Sequence, residues 1–119
     1  MKIREGYVSN SLERAKQRAF EDSIALKDTD RKAMTDLFKK NLSIEEVLFF
    51  KKIIKDFPCG KWATEITEAT PMGFHLLGGG IAVRNFFRSN GFDEKTLGIQ
   101  NLDNVYIDII EDAVNSIPD

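Results

Sequence analysis

Three consecutive glycines, Gly78 to Gly80, interrupt the most apolar stretch of the chain. The stretch begins at Thr70-Pro71, a pattern typical of a helix N-cap followed by the first helical residue. It ends at Asn90-Gly91, which is typical of a left-handed C-cap. Helical stepping of the residues in between gives apolar side chains on two opposite sides, as expected for a helix surrounded by neighbours. The sequence therefore predicts a central hydrophobic helix over about residues 71–89.

The glycine run needs a physical reason, because each glycine inside a helix costs about 1 kcal/mol relative to alanine. One reason is close packing against a crossing helix. A second is a break, with one helix ending near Leu77 and another beginning near Gly80. A third is an anion site, since amides at a helix start bind phosphate or carboxylate groups. The run matches neither the G-x-x-x-x-G-K-[ST] nor the G-x-G-x-x-G pattern, but all three reasons remain open at this point.

A candidate ligand site surrounds the glycines and consists of His75, Gly79, Gly80, Arg84 and Arg88. The two arginines lie one helical turn apart, and guanidinium groups bind carboxylates and phosphates through paired hydrogen bonds. The structural alternative is an arginine that anchors a loop or pairs with an acidic residue of the last helix. The single histidine is interpreted as a hydrogen-bonded structural residue, with a catalytic base as the alternative.

Four further helices are predicted around the central one. Ser43-Ile44-Glu45-Glu46 is a capping box, and Asn101 is a candidate N-cap for the last helix. Residues 1–10 are predicted as an irregular arm. The expected bounds are Ser9 or Ser11 to about Leu26, from the turn and N-cap at residues 27–30 to about Lys40, Ile44 to Asp56, and Leu102 to about Asn115. The predicted fold is all-α, a single compact domain of about five helices over residues 1–119.

Composition limits the class of protein. Hydrophobic residues make up 42% of the 119 residues and charged residues 30%, which is ordinary for a globular domain. No apolar run reaches the ~18 residues of a membrane span, and residues 1–6 lack the apolar core of a signal peptide. The single cysteine, Cys59, is expected to be a small loop hydrophobe in a reducing, cytoplasmic compartment. No cofactor or metal site is predicted.

Charge is unevenly distributed along the chain. Residues 1–56 hold 13 Lys and Arg against 10 Asp and Glu, whereas residues 57–119 hold 4 against 9. On the last predicted helix the acidic residues share an outer face, which is a candidate partner-binding surface together with an exposed tryptophan as an interface anchor. These candidate residues are Asp103, Asp108, Glu111, Asp112 and Trp62.

The basic residues of the first half suggest a nucleic-acid-associated regulator as an alternative. They are Arg14, Lys16, Arg18, Lys39, Lys40, Lys51, Lys52 and Lys55. The second and third helices also have the order of a helix-turn-helix. However, Glu45 and Glu46 stand at the start of the third helix, where a recognition helix faces DNA, and they would repel phosphates. Nucleic acid is therefore an unfavoured partner.

The run Gly80-Ile81-Ala82-Val83-Arg84-Asn85-Phe86-Phe87, followed by Asn101-Leu102-Asp103-Asn104, resembles a group of small bacterial helical domains of unknown function. Their pattern is L-G-x-x-I-R-N-x-[FW], preceded by a histidine and followed by an Asp-rich helix start. The resemblance covers about residues 72–115. Gly79 occupies the position of the pattern's leucine, and His75 is offset from its histidine. The resemblance implies a compact helical domain and no known activity.

No residues with the spacing of a catalytic centre are evident, so an enzyme is unfavoured and no catalytic residue is assigned. The leading hypothesis is a non-catalytic protein-interaction module that docks on another protein or on itself, with a homodimer as one form. An immunity-like or phage-encoded inhibitor or adaptor, bacterial or phage in origin, is one version. A small-ligand sensor or enzyme around Gly78–Gly80, Arg84 and His75 is a further alternative.

Overall fold

The structure is a computed structural model that describes residues 2–57, 62, 67, 69–76 and 78–118, with side chains from residue 12 onward. In these ranges the chain is all-helical and forms one compact domain, which confirms the predicted fold class. The elements are α1 (Lys2–Ala25), α2 (Asp28–Lys40), α3 (Ile44–Asp56), α4 (Pro71–Leu76), α5 (Gly79–Ser89), α6 (Glu94–Leu97), a 3₁₀ turn (Leu102–Asn104) and α7 (Tyr106–Asn115). Cys59 lies outside the described residues, as does most of the segment 58–68.

The last helix, α7, lies at the centre of the domain. It packs against both α2 and α3, because its apolar residues cover more than one side of the helix. Tyr106, Ile109 and Ala113 are completely buried, and Ile110 and Val114 extend the same apolar surface. Helical stepping of the last predicted helix places these apolar residues on one stripe, as observed. Burial is thus densest around α7, rather than around the segment 71–89.

The segment 71–89 has the predicted ends but is divided in the middle. Gly78 is left-handed, with φ of 103°, and it separates α4 from α5. The helix break, one of the three reasons considered for the glycine run, is therefore observed at Gly78. The two short helices are not covered on all sides, since Leu76 and Ile81 are more than half exposed. The prediction of one continuous central helix over residues 71–89 was therefore wrong.

Both predicted caps of this segment are present. The Thr70 hydroxyl accepts a hydrogen bond from the amide of Gly73 at 3.0 Å. At the other end Gly91 is left-handed, with φ of 88°, and the amide of Phe92 bonds to the carbonyl of Phe87 at 2.9 Å. The rings of Phe87 and Phe92 also meet edge to face, as expected for a Schellman ending.

The first helix is longer than predicted. It begins at Lys2, so the expected irregular arm over residues 1–10 is wrong. Residues 1–25 contain no proline, and once a helix is nucleated each added residue contributes one further backbone hydrogen bond. Gly6, Ser9 and Asn10 lower the helix propensity without stopping that extension.

A buried carboxylate holds α1 to the segment that precedes α7. Asp22 is 1% exposed and accepts hydrogen bonds from the amides of Gln100 (2.9 Å) and Asn101 (3.1 Å). The side-chain amide of Asn104 donates a further bond at 2.6 Å. Burial alone would raise the pKa of Asp22, but these donors outweigh it and hold the pKa below its ordinary value. Asp22 is therefore charged and fully paired.

Phenylalanine rings join the remaining helices. Phe38 of α2 lies 6.0 Å from Phe50 of α3 and 5.9 Å from Phe87 of α5, measured between ring centroids. Phe50 in turn meets Phe74 of α4 edge to face at 5.3 Å. Ring contacts of this geometry add stabilisation beyond that from the buried apolar area alone. The phenylalanine cluster therefore holds α4 and α5 against α2 and α3.

Candidate functional site

Three residues of the predicted ligand site meet around one buried tyrosine. His75 of α4 and Arg84 and Gly80 of α5 all contact Tyr106 of α7. The Nδ1 atom of His75 lies 2.7 Å from the Tyr106 hydroxyl and 3.3 Å from an Arg84 nitrogen. A guanidinium only donates hydrogen bonds, so Nδ1 is the acceptor in the contact with Arg84. The arrangement links α4, α5 and α7.

Gly80 is a glycine because the tyrosine hydroxyl occupies the space of a side chain. A Cβ atom at this position would lie 2.6 Å from the Tyr106 hydroxyl oxygen and 3.1 Å from the Cα and carbonyl oxygen of His75. Gly79 faces a different neighbour, since a Cβ there would meet the Phe74 ring at 2.4 Å. The close-packing reason for the glycine run thus holds at Gly79 and Gly80, beside the break at Gly78.

Arg84 is compensated within the fold. Its guanidinium lies 2.5 Å from a carboxylate oxygen of Asp103 and 5.5 Å from the centroid of the Tyr106 ring. Its side chain is 13% exposed. Burial raises the pKa of the Tyr106 hydroxyl well above its ordinary value, so the hydroxyl stays neutral. Arg84 thus has a carboxylate and a ring as partners, in agreement with the structural alternative for this arginine.

Arg88 lies apart from this group and holds α6. It forms a two-pronged ion pair with Glu94, with nitrogen to oxygen distances of 3.2 and 2.8 Å, and donates to Asn85 at 3.3 Å. The hydrogen bond from Arg88 lowers the pKa of Glu94 to about 2, although burial opposes this shift. The structure therefore does not bring Arg84 and Arg88 together as a pair.

A small cleft opens beside His75. Its volume is about 140 Å³, below the 300–1,000 Å³ typical of ligand pockets. It is lined by Ala15, Ala19, Trp62, Pro71, Met72, His75, Asp103, Asn104 and Ile107. Trp62 is 38% exposed, and the Lys16 ammonium lies 5.7 Å from its ring centroid. Trp62 thus lies between α1 and the acidic residues Asp103 and Asp108, with which it lines neighbouring clefts.

The predicted acidic surface is partly engaged inside the domain. Asp112 pairs with Arg31 of α2 at 2.6 Å, and Asp103 pairs with Arg84. The interaction with Asp112 raises the pKa of Arg31, in the direction expected for a close ion pair. Asp108 and Glu111 are only partly exposed, and each has an interaction partner. The ion pairs of Asp112 and Asp103 therefore join the last part of the chain to α2 and α5.

The predicted basic residues are distributed over three helices. Besides Lys16 at the Trp62 ring, Lys51 donates to the carbonyl of Ile117 at 2.7 Å. Lys52 pairs with Asp56 at 3.2 Å on the same helix. Lys55 is exposed and has no ion pair with any residue that the structure describes.

Two outward apolar pairs are the feature that the sequence reasoning missed. Phe20 and Ile24 on α1 are 61% and 68% exposed, and Ile44 and Leu48 on α3 are 80% and 63% exposed. Asp22 and Leu26 are buried on the inner face of α1, and Phe20 and Ile24 lie on its opposite side. Helical spacing alone does not show which of these two sides the fold covers.

In the described ranges, no three His, Cys, Asp or Glu side chains are grouped so that they would hold a metal ion. No helix in that part of the chain is both long and apolar enough to cross a bilayer. Comparison with protein-family models, curated proteins and solved structures finds no match. The resemblance to small bacterial helical domains therefore stays a prediction.

Proposed function

We propose that the protein is a non-catalytic protein-interaction module that binds through the outward faces of α1 and α3. The observation that carries this proposal is the pair of exposed apolar side chains on each helix. The pairs are Phe20 and Ile24 on α1, and Ile44 and Leu48 on α3. Single exposed apolar residues are common on protein surfaces. Two large apolar residues one helical turn apart form a continuous anchor of the kind that docks into a partner.

The interior of the domain supports the same proposal. The polar group around Tyr106 is internally paired, with Arg84 on Asp103 and His75 on the tyrosine hydroxyl. A catalytic site needs a polar group that points into a cleft large enough for a substrate. The cleft beside His75 is small. The polar residues thus act in holding α4 and α5 to α7, and the exposed apolar faces remain for recognition.

The test is site-specific photo-crosslinking in cells of the source. A photo-reactive amino acid at Leu48 is expected to give a defined crosslinked protein, because this side chain lies on the proposed surface. The matched control is Ile81, which is 52% exposed on α5 and outside both faces. Equal crosslinking at positions 48 and 81, or none at position 48 and none at Phe20, would refute the proposal.

A further inference from the structure

The exposed faces of α1 and α3 match each other in spacing. On α3 the outward stripe contains Ile44, Leu48, Lys51 and Lys55, of which Lys51 is half-buried, at intervals of four, three and four residues. On α1 the outward stripe contains Glu13, Gln17, Phe20 and Ile24, at the same intervals. This 4-3-4 spacing is the heptad seam of helices that pack side by side.

We propose that a second copy of the chain docks its α1 face on the α3 face in an antiparallel orientation, an inference that rests on the proposed interaction function. Reversing α1 places Ile24 opposite Ile44 and Phe20 opposite Leu48. It also places Gln17 opposite Lys51 and Glu13 opposite Lys55. Each apolar residue then meets an apolar residue, and the exposed end lysine meets a carboxylate. The matched stripes extend over about three helical turns, or ~16 Å.

The parallel orientation lacks this match. It would place Phe20 opposite Lys51 and Ile24 opposite Lys55, which would bury apolar side chains against charges. Glu13 and Lys55 make no ion pair with any residue that the structure describes, so both remain available for the contact. Lys51 keeps its bond to the carbonyl of Ile117, and only its aliphatic stem is needed at the seam.

Charge also distinguishes between a nucleic acid and a second copy of the chain as the partner of the α3 face. A nucleic acid would meet Glu45 beside the α3 stripe and Glu13 on α1, and neither face presents a purely basic surface. The flanking residues Arg14, Glu21 and Lys52 carry both signs and add no net preference. The α1 face of a second copy places an apolar residue opposite each apolar residue of the α3 face and a carboxylate opposite Lys55.

Each copy carries one α1 face and one α3 face. The contact therefore forms twice in a closed two-fold dimer, or once per added copy in a longer chain of molecules. Both assemblies contain the same antiparallel α1–α3 contact, and sedimentation measures which one forms.

The experiment is sedimentation equilibrium of the purified full chain with charge-reversal variants. Wild type is expected to self-associate. Glu13→Lys and Lys55→Glu are each expected to weaken self-association by about fivefold per contact, because an ion pair becomes a like-charge pair. The double variant restores the opposite charges across the contact and is expected to return to the wild-type affinity. An equimolar mixture of the two single variants is expected to associate more tightly than either one alone.

Leu48→Asp removes an apolar anchor and is expected to abolish self-association, whereas Ile81→Asp on α5 is the matched exposed control and is expected to leave it unchanged. Circular dichroism checks that each variant is folded, which the exposure of these sites makes the expected result. A strictly monomeric wild type overturns the proposal, and so does a double variant as weak as the single ones. If the purified chain is monomeric but position 48 crosslinks to another protein, the self-docking inference fails while the proposed interaction function stands.

Discussion

Replacing Gly80 with alanine is expected to destabilise the domain, although alanine is the better helix former. The new Cβ would lie 2.6 Å from the Tyr106 hydroxyl oxygen, so the two atoms must separate by about 0.8 Å to reach an ordinary contact. Tyr106 is completely buried and its hydroxyl is bonded to His75, so a displacement of the ring disturbs its neighbours.

The magnitude follows from three effects. Overpacking of a filled core costs about 1–3 kcal/mol, and loss of the bond between Tyr106 and His75 costs about 1 kcal/mol. The gain in helix propensity is at most about 1 kcal/mol, and less in the first turn of α5, where Gly80 lies. The net expected loss is about 1–3 kcal/mol in the free energy of unfolding. Urea denaturation followed by far-ultraviolet circular dichroism measures it.

The Tyr106→Phe background is the matched control, because it removes the single oxygen atom that the new methyl group would meet most closely. The remaining contacts, to the Cα and carbonyl oxygen of His75 at 3.1 Å, are tight but need only a small shift. Gly80→Ala is therefore expected to cost less in this background, with a coupling of about 1–2 kcal/mol between the two sites. Equal costs in both backgrounds would refute the argument, and so would a wild-type domain that Gly80→Ala stabilises.

Two further predictions concern the carboxylates. Asp22→Ala leaves four partly buried donors of Gln100, Asn101 and Asn104 without their acceptor and is expected to lower the free energy of unfolding by about 3 kcal/mol, measured by urea denaturation; a loss below about 1 kcal/mol would contradict the anchoring role. The pKa of Glu94 is lowered to about 2 from its ordinary value of 4.5, and that of Asp22 is also lowered. A lowered carboxyl pKa stabilises the fold above the unfolded value, so stability is expected to fall as the pH decreases from about 4.5 to 2. Glu94→Gln removes part of this dependence, and urea midpoints across that range should show a flatter acid limb than wild type; an unchanged slope would contradict the assignment to the Arg88 pair.

Local signals in the sequence were sufficient for most helix ends. The Ser43 capping box is present, with the Ser43 amide bonded to Glu46 at 2.9 Å and the Glu46 amide bonded to the Ser43 hydroxyl at 3.1 Å. Asp93 caps α6, and Asn101 accepts a bond at the start of the 3₁₀ turn, four residues before α7 begins. These caps depend on residues two or three positions apart, which a single sequence displays directly.

The candidate site was only partly predictable, because its partners are distant in the chain. The sequence named His75, Gly80 and Arg84, but Tyr106 was expected only as a member of an apolar stripe. The contact between His75 and Tyr106 joins positions 31 residues apart. The Asp22 contacts span 78 to 82 residues, and no local pattern marks Asp22 as buried. Tertiary packing decides such positions, and periodicity alone does not reveal it.

The exposed faces illustrate a related limit. Helical periodicity identifies an apolar side of α1 or α3, but it does not say how many sides the rest of the fold will cover. Ala15 and Ala19 face the 3₁₀ turn closely because they are small, and this close approach leaves Phe20 and Ile24 outside. The sequence therefore predicted the helices well and the identity of their outward faces poorly.

The Asp22 anchor has a consequence for the order in which the protein acquires its structure during synthesis. The acceptor is made early, but its donors at Gln100, Asn101 and Asn104 are translated some eighty residues later. Arg31 is likewise translated long before its ion-pair partner, Asp112. Until those late residues leave the ribosome, the first three helices have apolar inner sides without their final partner, α7. Nascent chains in that interval are expected to depend on chaperones, and the domain closes only when its last helix arrives.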